Sequence, residues 1–326
     1  MLRCLEAEIQ RQTGATVLEI PKPKILGKNW LQKRLQHGTR YEHVRKYLPK
    51  EKLEIPSDVD VVWYVLMGPE NYGLDLFDWP WRRVPHRVVY LFDTLPSQIK
   101  RIGRLFSGPE WNFPITSFQD AIPMLKNVTG RNWCHIDQAV SLRYFPEKTA
   151  REIAFSSYGR RHPRVHEAIQ TFCRRHSLYY DYTTHGRSAP AADPLELYRQ
   201  YAWHLGQSLF TVSWPVEVTH PERAGELSPI TCRWFEAAAA GATVIGQAPK
   251  NPRFGEVFGK EMVLDIDPES DTPSILLRLE DIWENREQHL SKSKMFREKM
   301  ANQLDWRTRV DQILQKIRQK ECGVDS

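Results

Sequence analysis

No stretch of this chain approaches the roughly 18 to 20 consecutive apolar residues that a membrane-crossing helix requires. The first residues carry Arg3 and Glu6 with no apolar core behind them, so no secretory leader is expected. Cysteine is sparse. Cys4, Cys134, Cys173, Cys232 and Cys322 make five, an odd number without one Cys-x-x-Cys pair. That pattern argues against a disulfide framework or a zinc site and favours a reducing, cytoplasmic setting. Gly-Lys-Ser/Thr and Gly-x-Gly-x-x-Gly are missing too, which sets aside two familiar phosphate-cradling loops. There is no zinc-finger, RNA-recognition or leucine-zipper pattern, so nucleic acid is not an expected partner. Internal repeats and low-complexity tracts are absent as well.

What is present fits a globular protein with room for two domains. The 326 residues are 41% hydrophobic and 26% charged, with 11 Trp, 12 Tyr and 13 Phe for cores. The net charge of +6 gathers at one end, because residues 1–50 hold 11 Lys and Arg against 4 Asp and Glu. A basic segment around Lys22, Lys24, Lys28, Lys33 and Arg34 suits a solvated surface, an anionic membrane face or an acidic acceptor.

Two sets of alternating elements follow. In the first, Thr16–Ile20 reads as a strand, Asn29–Tyr47 as a basic helix, and Val59–Leu66 and Arg87–Phe92 as apolar strands. A long Gly-, Pro- and Trp-rich loop separates the last two, and Ile115–Leu125 and Asn132–Ala139 close the half. A polar break at Pro146–Thr149 marks the expected boundary, giving domains 1–148 and 149–326. In the second, the expected strands are Ile153–Tyr158, Leu178–Tyr182, Ser208–Trp214, Ala242–Gln247 and Met262–Ile266. Helices are expected at Arg164–His176, Pro194–Gly206, the Ala-rich stretch after Thr231, a short one near Phe254, and two long ones over 272–300 and 305–320. Pro215–Pro229 reads as a polar loop. Strands alternating with helices imply parallel sheets with right-handed crossovers, whose ligands sit at the carboxyl ends of the strands.

Two motifs carry chemistry. Gly159-Arg160-Arg161-His162-Pro163-Arg164 stands where a strand ends and a helix begins. Glycine lets the backbone come close to a ligand, the helix start offers N–H groups, and arginine offers forked cationic donors. That is diphosphate chemistry, and equally an ordinary basic helix start. Thr231-Cys-Arg233-Trp-Phe-Glu236-Ala-Ala-Ala-Ala-Gly241 describes a tightly packed helix with a left-handed stop, bearing an arginine and a glutamate three residues apart. The pair is either a solvated ion pair or part of a site. Both motifs follow strands of one sheet, so arginines from two places are expected to converge on a phosphate, with a carboxylate placed for ribose hydroxyls. His162, His166 and His220 lack ligand partners at metal-site spacing, so no metal is expected. Trp30, Trp79, Trp81 and Trp111 suit either a sugar-stacking surface or core anchoring.

These residues resemble a family. Ser157–Arg164, Phe210–Pro215, Arg233–Gly241 and Trp306–Leu314 are similar in order and spacing to the nucleotide-binding domain of GT-B glycosyltransferases. The likeness is to the "glycosyl transferases group 1" type and its spore-maturation-protein-like branch, over about residues 150–315. Arg87–Asp93 and Ile136–Pro146 resemble the same family's cleft strand and interdomain segment. The resemblance implies an α/β fold of two Rossmann-like domains with parallel sheets facing a central cleft, the first on the acceptor side. It implies a nucleotide diphosphate-sugar as co-substrate, no tightly bound cofactor and no metal, because cationic side chains and helix dipoles stabilise the leaving diphosphate. Carried over by position, Gly159, Arg160 and Arg164 hold the diphosphate, Glu236 binds ribose, Thr231 and Arg233 face phosphate, and residues 182–186 lie near the base. The acceptor would be a small molecule, a lipid-linked molecule or a peptide. Two departures stand out. Many retaining members carry a second glutamate eight positions before the first, where this chain has Ser228, with Glu226 nearby. Where many members have a cleft histidine, this chain has Asp93, which suits a general base or a turn carboxylate. A non-catalytic binding protein on the same fold is the alternative.

Overall fold

A computed structural model describes residues 2–17, 51–52, 56–69, 77–78, 83–106, 111–147, 150–183, 193–259 and 262–321. The expected basic helix, Trp30, Trp79, Trp81, the five basic residues Lys22–Arg34 and positions 184–186 lie outside them, as does most of the expected first strand. The chain divides into two compact units, one containing Thr13–Ile136 with Leu314–Ser326, the other Arg3–Gln12 with Asp137–Ile313. They are called here the N-terminal and C-terminal units.

Helix α1 (Leu2–Thr13) opens the chain, and no element was expected there. In the N-terminal unit, β1 (Glu51–Lys52) pairs in parallel with β3 (Phe77–Asp78). The main sheet holds β2 (Val61–Leu66), β4 (His86–Leu91), β5 (Phe113–Thr116) and β6 (Cys134–His135), in that order and all parallel. Val88, Val89, Tyr90 and Leu91 are fully buried on both faces of β4, which is why the run reads as continuously apolar instead of alternating. The Tyr90 phenol donates to the Ile136 carbonyl at 2.9 Å, so its polar tip stays satisfied inside. Helices α2 (Ile99–Phe106) and α3 (Ile122–Thr129) complete the unit. The single element expected over 115–125 is instead the end of β5, a short turn of 3-10 helix and the start of α3.

The C-terminal unit follows its expected order closely. It contains β7 (Ile153–Ser157), α4 (Pro163–Arg175), β8 (Tyr180–Tyr182), α5 (Pro194–Gly206) and β9 (Ser208–Ser213). Then come α6 (Val216–Thr219), α7 (Pro221–Ala224), α8 (Cys232–Ala240), β10 (Thr243–Gly246), α9 (Pro252–Val257) and β11 (Val263–Asp265). Helices α10 (Thr272–Glu284) and α11 (Arg286–Leu304) follow, and α12 (Trp306–Glu321) starts in this unit and from Leu314 belongs to the N-terminal one. The parallel sheet runs β11-β10-β9-β7-β8. Two expectations change. The polar loop after β9 contains α6 and α7, and the long helix over 272–300 breaks at Asn285. There the Asn285 amide folds back to donate to the Asp281 carbonyl at 2.8 Å and ends α10.

Packing explains the rest. Phe155 of β7 stacks on Phe210 of β9 with ring centres 5.3 Å apart, and Val165, Ile169 and Phe172 of α4 cover them. Each such side chain stabilises the fold by about 1.5 to 3 kcal/mol on burial. Trp234 through Ala240 of α8 are all buried, and Gly241 closes the helix at φ +62°. Within this unit α1 buries Cys4, Leu5 and Ile9, and the Gln12 amide donates to the Arg307 carbonyl at 3.0 Å. The segment after Asp137 is tied to the start of α12. Val140 bridges Asp305, and the buried Asp137 carboxylate meets Arg253 at 2.9 Å and Arg309 at 3.8 Å.

Candidate functional site

The order β11-β10-β9-β7-β8 places the reversal of the sheet between β7 and β9. From β7 the chain moves outward to β8, then returns across to β9. The loops that leave these two strands therefore part at their carboxyl ends and open a crevice there. Gly159, just past β7, adopts φ +105°, a conformation that side chains rarely tolerate. A Cβ at Gly159 would stand 3.5 Å from Arg233 Nη2, so the loop after β7 meets the start of α8 directly. Gly246 at the end of β10 has φ +144°, and a Cβ there would collide with the Ser213 carbonyl oxygen. The strand ends are thus drawn tightly together under the crevice.

Arg233 and Glu236 form an ion pair at 3.0 Å, and its setting is not that of a solvated face. The Glu236 side chain is 3% exposed and that of Arg233 36%. The Tyr201 phenol of α5 donates to the same Glu236 oxygen, Oε2, at 2.9 Å. The Arg233 guanidinium lies 4.9 Å from the Tyr201 ring centre, and the Tyr158 ring meets Tyr201 edge-on at 5.2 Å. Burial opposes the charge on Arg233, but Tyr201 and Glu236 outweigh it and hold its pKa well above the ordinary value. Burial, with the nearby carboxylate, pushes the Tyr201 phenol well up and keeps it a donor. Both hydrogen bonds to Glu236 fall on Oε2, which leaves Oε1 to accept from another group.

Helix starts add polarity. α4 and α8 begin at His162 and Thr231, and neither residue caps its helix with a side-chain hydrogen bond. By contrast, Asp193, Asn251 and Asp271 cap α5, α9 and α10. The first N–H groups of α4 and α8 thus have no side-chain cap and present the positive end of each helix dipole. Arg160 follows Gly159 on the same loop and is half-buried. Arg161 covers the Tyr182 ring at 5.3 Å and reaches His166 at 3.4 Å. Burial, then Arg161, holds the His166 imidazole below its usual pKa. Arg164 is engaged differently: its Nη1 donates to the carbonyls of Pro268, Glu269 and Ser270 at 2.8 to 3.2 Å, binding the loop after β11 to α4.

A carboxylate that the spacing of motifs does not reveal completes the picture. Ser228 Oγ accepts from the Lys250 N–H at 2.7 Å and donates to Glu217 Oε1. Glu217 lies 11 residues upstream on α6, where no periodic signal marks it. Glu226, by contrast, is exposed. Asp93 belongs to the N-terminal unit, half-buried at the carboxyl end of β4, where its N–H donates to the Met67 carbonyl at 2.6 Å.

Among the described residues no three His, Cys, Asp or Glu side chains gather as metal ligands. Two Asp-x-Asp triplets occur in the sequence, Asp58-Val59-Asp60 and Asp265-Ile266-Asp267. In the second, Asp267 Oδ1 accepts the Glu269 N–H at 3.0 Å as a turn carboxylate. Nor is any described helix long and apolar enough to cross a membrane.

No family model matches the chain, and no curated protein matches its sequence. Solved structures do resemble it. A glycosyltransferase from Rickettsia africae ESF-5 aligns with TM-score 0.51 and 10% identity, covering 96% of this chain and 87% of the other. A sucrose-phosphate synthase from Thermosynechococcus elongatus aligns with TM-score 0.51 and 12% identity, covering 95% and 82%. At such identities the likeness is one of fold. The chain has a GT-B-type α/β fold with Rossmann-like parallel sheets.

Proposed function

We propose that this chain is a glycosyltransferase that moves a sugar from a nucleotide diphosphate-sugar, built on UDP, GDP or TDP, to an acceptor nucleophile. Its site resembles the spore-maturation-protein-like branch of the group 1 type. The observation that carries this reading is the meeting of Gly159 with Arg233 across the crevice, with Glu236 buried behind them. Ionised phosphates suit Arg233, Arg160 and the starts of α4 and α8, where no side chain caps the helix. Glu236 Oε1 accepts from the ribose hydroxyls. Arg164 supports the diphosphate by fixing α4 against the loop after β11. Cationic side chains and helix dipoles stabilise the leaving diphosphate without a metal.

The acceptor, a small molecule, a lipid-linked molecule or a peptide, belongs to the N-terminal unit, with Asp93 as the base that takes its proton. Direct attack with Asp93 as base inverts the anomeric centre, and NMR of the product anomer tests that. The basic segment 22–34 docks on an anionic membrane face; liposomes containing phosphatidylserine should lose the protein when its lysines and arginines are neutralised.

Calorimetry tests the donor site. Wild type should bind at least one of UDP, GDP, dTDP and ADP, and Glu236→Gln should weaken that binding about tenfold, the loss of roughly 1.4 kcal/mol expected for a charge-assisted hydrogen bond. Indifference of the wild type to all four would end the proposal. Ser228 at the second-glutamate position favours one other reading, a protein that binds a nucleotide-sugar without transferring it. Release of nucleoside diphosphate from a bound donor separates the two.

A further inference from the structure

The Glu236 carboxylate is held through one of its oxygens. The Tyr201 phenol at 2.9 Å and the Arg233 guanidinium at 3.0 Å both donate to Oε2. A carboxylate can turn about its last bond and exchange its oxygens, but only the oxygen at this position meets both donors. The two bonds therefore select one orientation and leave Oε1 with its lone pairs. Arg233 alone offsets the charge of Glu236. The phenol adds no charge; what it adds is direction.

A second set of contacts fixes the phenol. The Arg233 guanidinium lies 4.9 Å from the Tyr201 ring centre, and the Tyr158 ring meets it edge-on at 5.2 Å. Tyr158 is anchored in turn. Its phenol donates to Oδ2 of Asp181 on β8 at 2.7 Å, and Nδ1 of His204 on α5 stands 3.1 Å from that same oxygen. The exit of β7, β8 and α5 thus converge on the orientation of one carboxylate on α8. Ribose offers two vicinal hydroxyl donors, and an oxygen held in place with its lone pairs free can take both. A 2′-deoxyribose has lost one of the two. A site built around a hydroxyl group discriminates against the analogue that lacks it.

We propose that Tyr201, braced by Tyr158 and Asp181, is a positioning residue that sets the Glu236 carboxylate for ribose, so that the donor is a ribonucleotide selected against its 2′-deoxy form. This proposal rests on the nucleotide-sugar reading above and narrows it.

The test compares UDP, GDP, ADP and ribothymidine diphosphate, each with its 2′-deoxy counterpart, by calorimetry on the full chain. Wild type should bind the ribose form of at least one pair about tenfold more tightly, the worth of one charge-assisted hydrogen bond. Tyr201→Phe keeps the ring for Arg233 and Tyr158 and removes only the phenol oxygen. It should bring that ratio down to about threefold or less, with the Kd of the 2′-deoxy form unchanged to within about twofold. Tyr158→Phe leaves the Tyr201 hydroxyl in place but frees its brace, and should lower the ratio about twofold. If Tyr201→Phe weakens both forms equally, or weakens neither, Tyr201 is structural and the proposal is overturned while the nucleotide site stands. An unchanged ratio in Tyr158→Phe, or equal binding of both forms by wild type, overturns it as well. If wild type binds none of the eight ligands, the nucleotide-sugar reading itself is overturned and this proposal with it.

Discussion

Glu236 shows how a single residue serves both fold and site. Its Oε2 takes a phenol and a guanidinium at once, in a side chain 3% exposed. Replacement by alanine leaves Tyr201 and Arg233 without their shared acceptor. Glu236→Ala should therefore lower stability by about 2 to 3 kcal/mol as well as weaken nucleotide binding, and a urea titration beside calorimetry separates the two losses. The two glycines at the strand ends differ in kind. At Gly159 the space is open enough for a methyl group, so the cost of Gly159→Ala is the strained backbone, about 1 to 2 kcal/mol. At Gly246 backbone strain adds to collision with the Ser213 carbonyl, and Gly246→Ala should cost about 3 kcal/mol or more. Comparable denaturation midpoints for the two variants would contradict this difference.

At the scale of elements, the strands of the C-terminal unit and several of its helices were legible as apolar runs bounded by Gly, Pro or a capping residue, whereas α6, α7 and the break at Asn285 were not. The Ala-rich helix and its left-handed stop at Gly241 are the clearest case. Helix α1 was not legible, because its buried positions Cys4, Leu5, Glu8 and Ile9 include a thiol and an acid. The Glu8 carboxylate is held by Arg11 and Gln12, so its neighbours, not its polarity, decide its burial. The site divides the same way. Arg233 and Glu236 sit three apart on one helix, a local relation that spacing reveals. The contact of Gly159 with Arg233, the bond from Tyr201 and the partnership of Ser228 with Glu217 are tertiary, and no local pattern encodes them. Within the stretch Trp306–Leu314, Arg309 serves structure. Arg309 reaches Asp137 at 3.8 Å, and Arg253 reaches it at 2.9 Å. Asp137→Ala removes the carboxylate that the two arginines share, while Arg253 keeps Glu256 and Arg309 keeps the Gln303 carbonyl. It should cost about 1 to 3 kcal/mol in a urea titration, with α9, α12 and the 137–145 segment loosened together in hydrogen exchange.

At the scale of the whole molecule, buried acids of high pKa set the response to alkali. Burial raises the phenols of Tyr158, Tyr180, Tyr198 and Tyr201 above their ordinary 10.0, and takes the Cys173 thiol from 9.0 to about 12. In each case the folded chain keeps a proton that the unfolded chain gives up, so stability falls as pH rises past about 9 and then past 10. Arg151 works in the opposite direction, because burial and Arg297 depress its pKa from the ordinary guanidinium value to about 10. The five acids outnumber it, and the urea midpoint at pH 10.5 should lie below that at pH 8. A higher midpoint at pH 10.5 would show that these groups are not buried as described.

Helix α1 has a consequence for how the chain is made. Its residues 3–12 belong with Asp137–Ile313, while residues 13–136 between them build the other unit. Gln12 meets Arg307 across 295 positions of sequence. During synthesis α1 emerges 295 positions before Arg307, so it must wait for that later segment before its seat exists. The C-terminal unit is therefore not a contiguous fragment. A protein begun at residue 137 should be poorly soluble or loosely folded, and a circular permutant that joins residues 1–13 behind the last helix through a flexible linker should restore it.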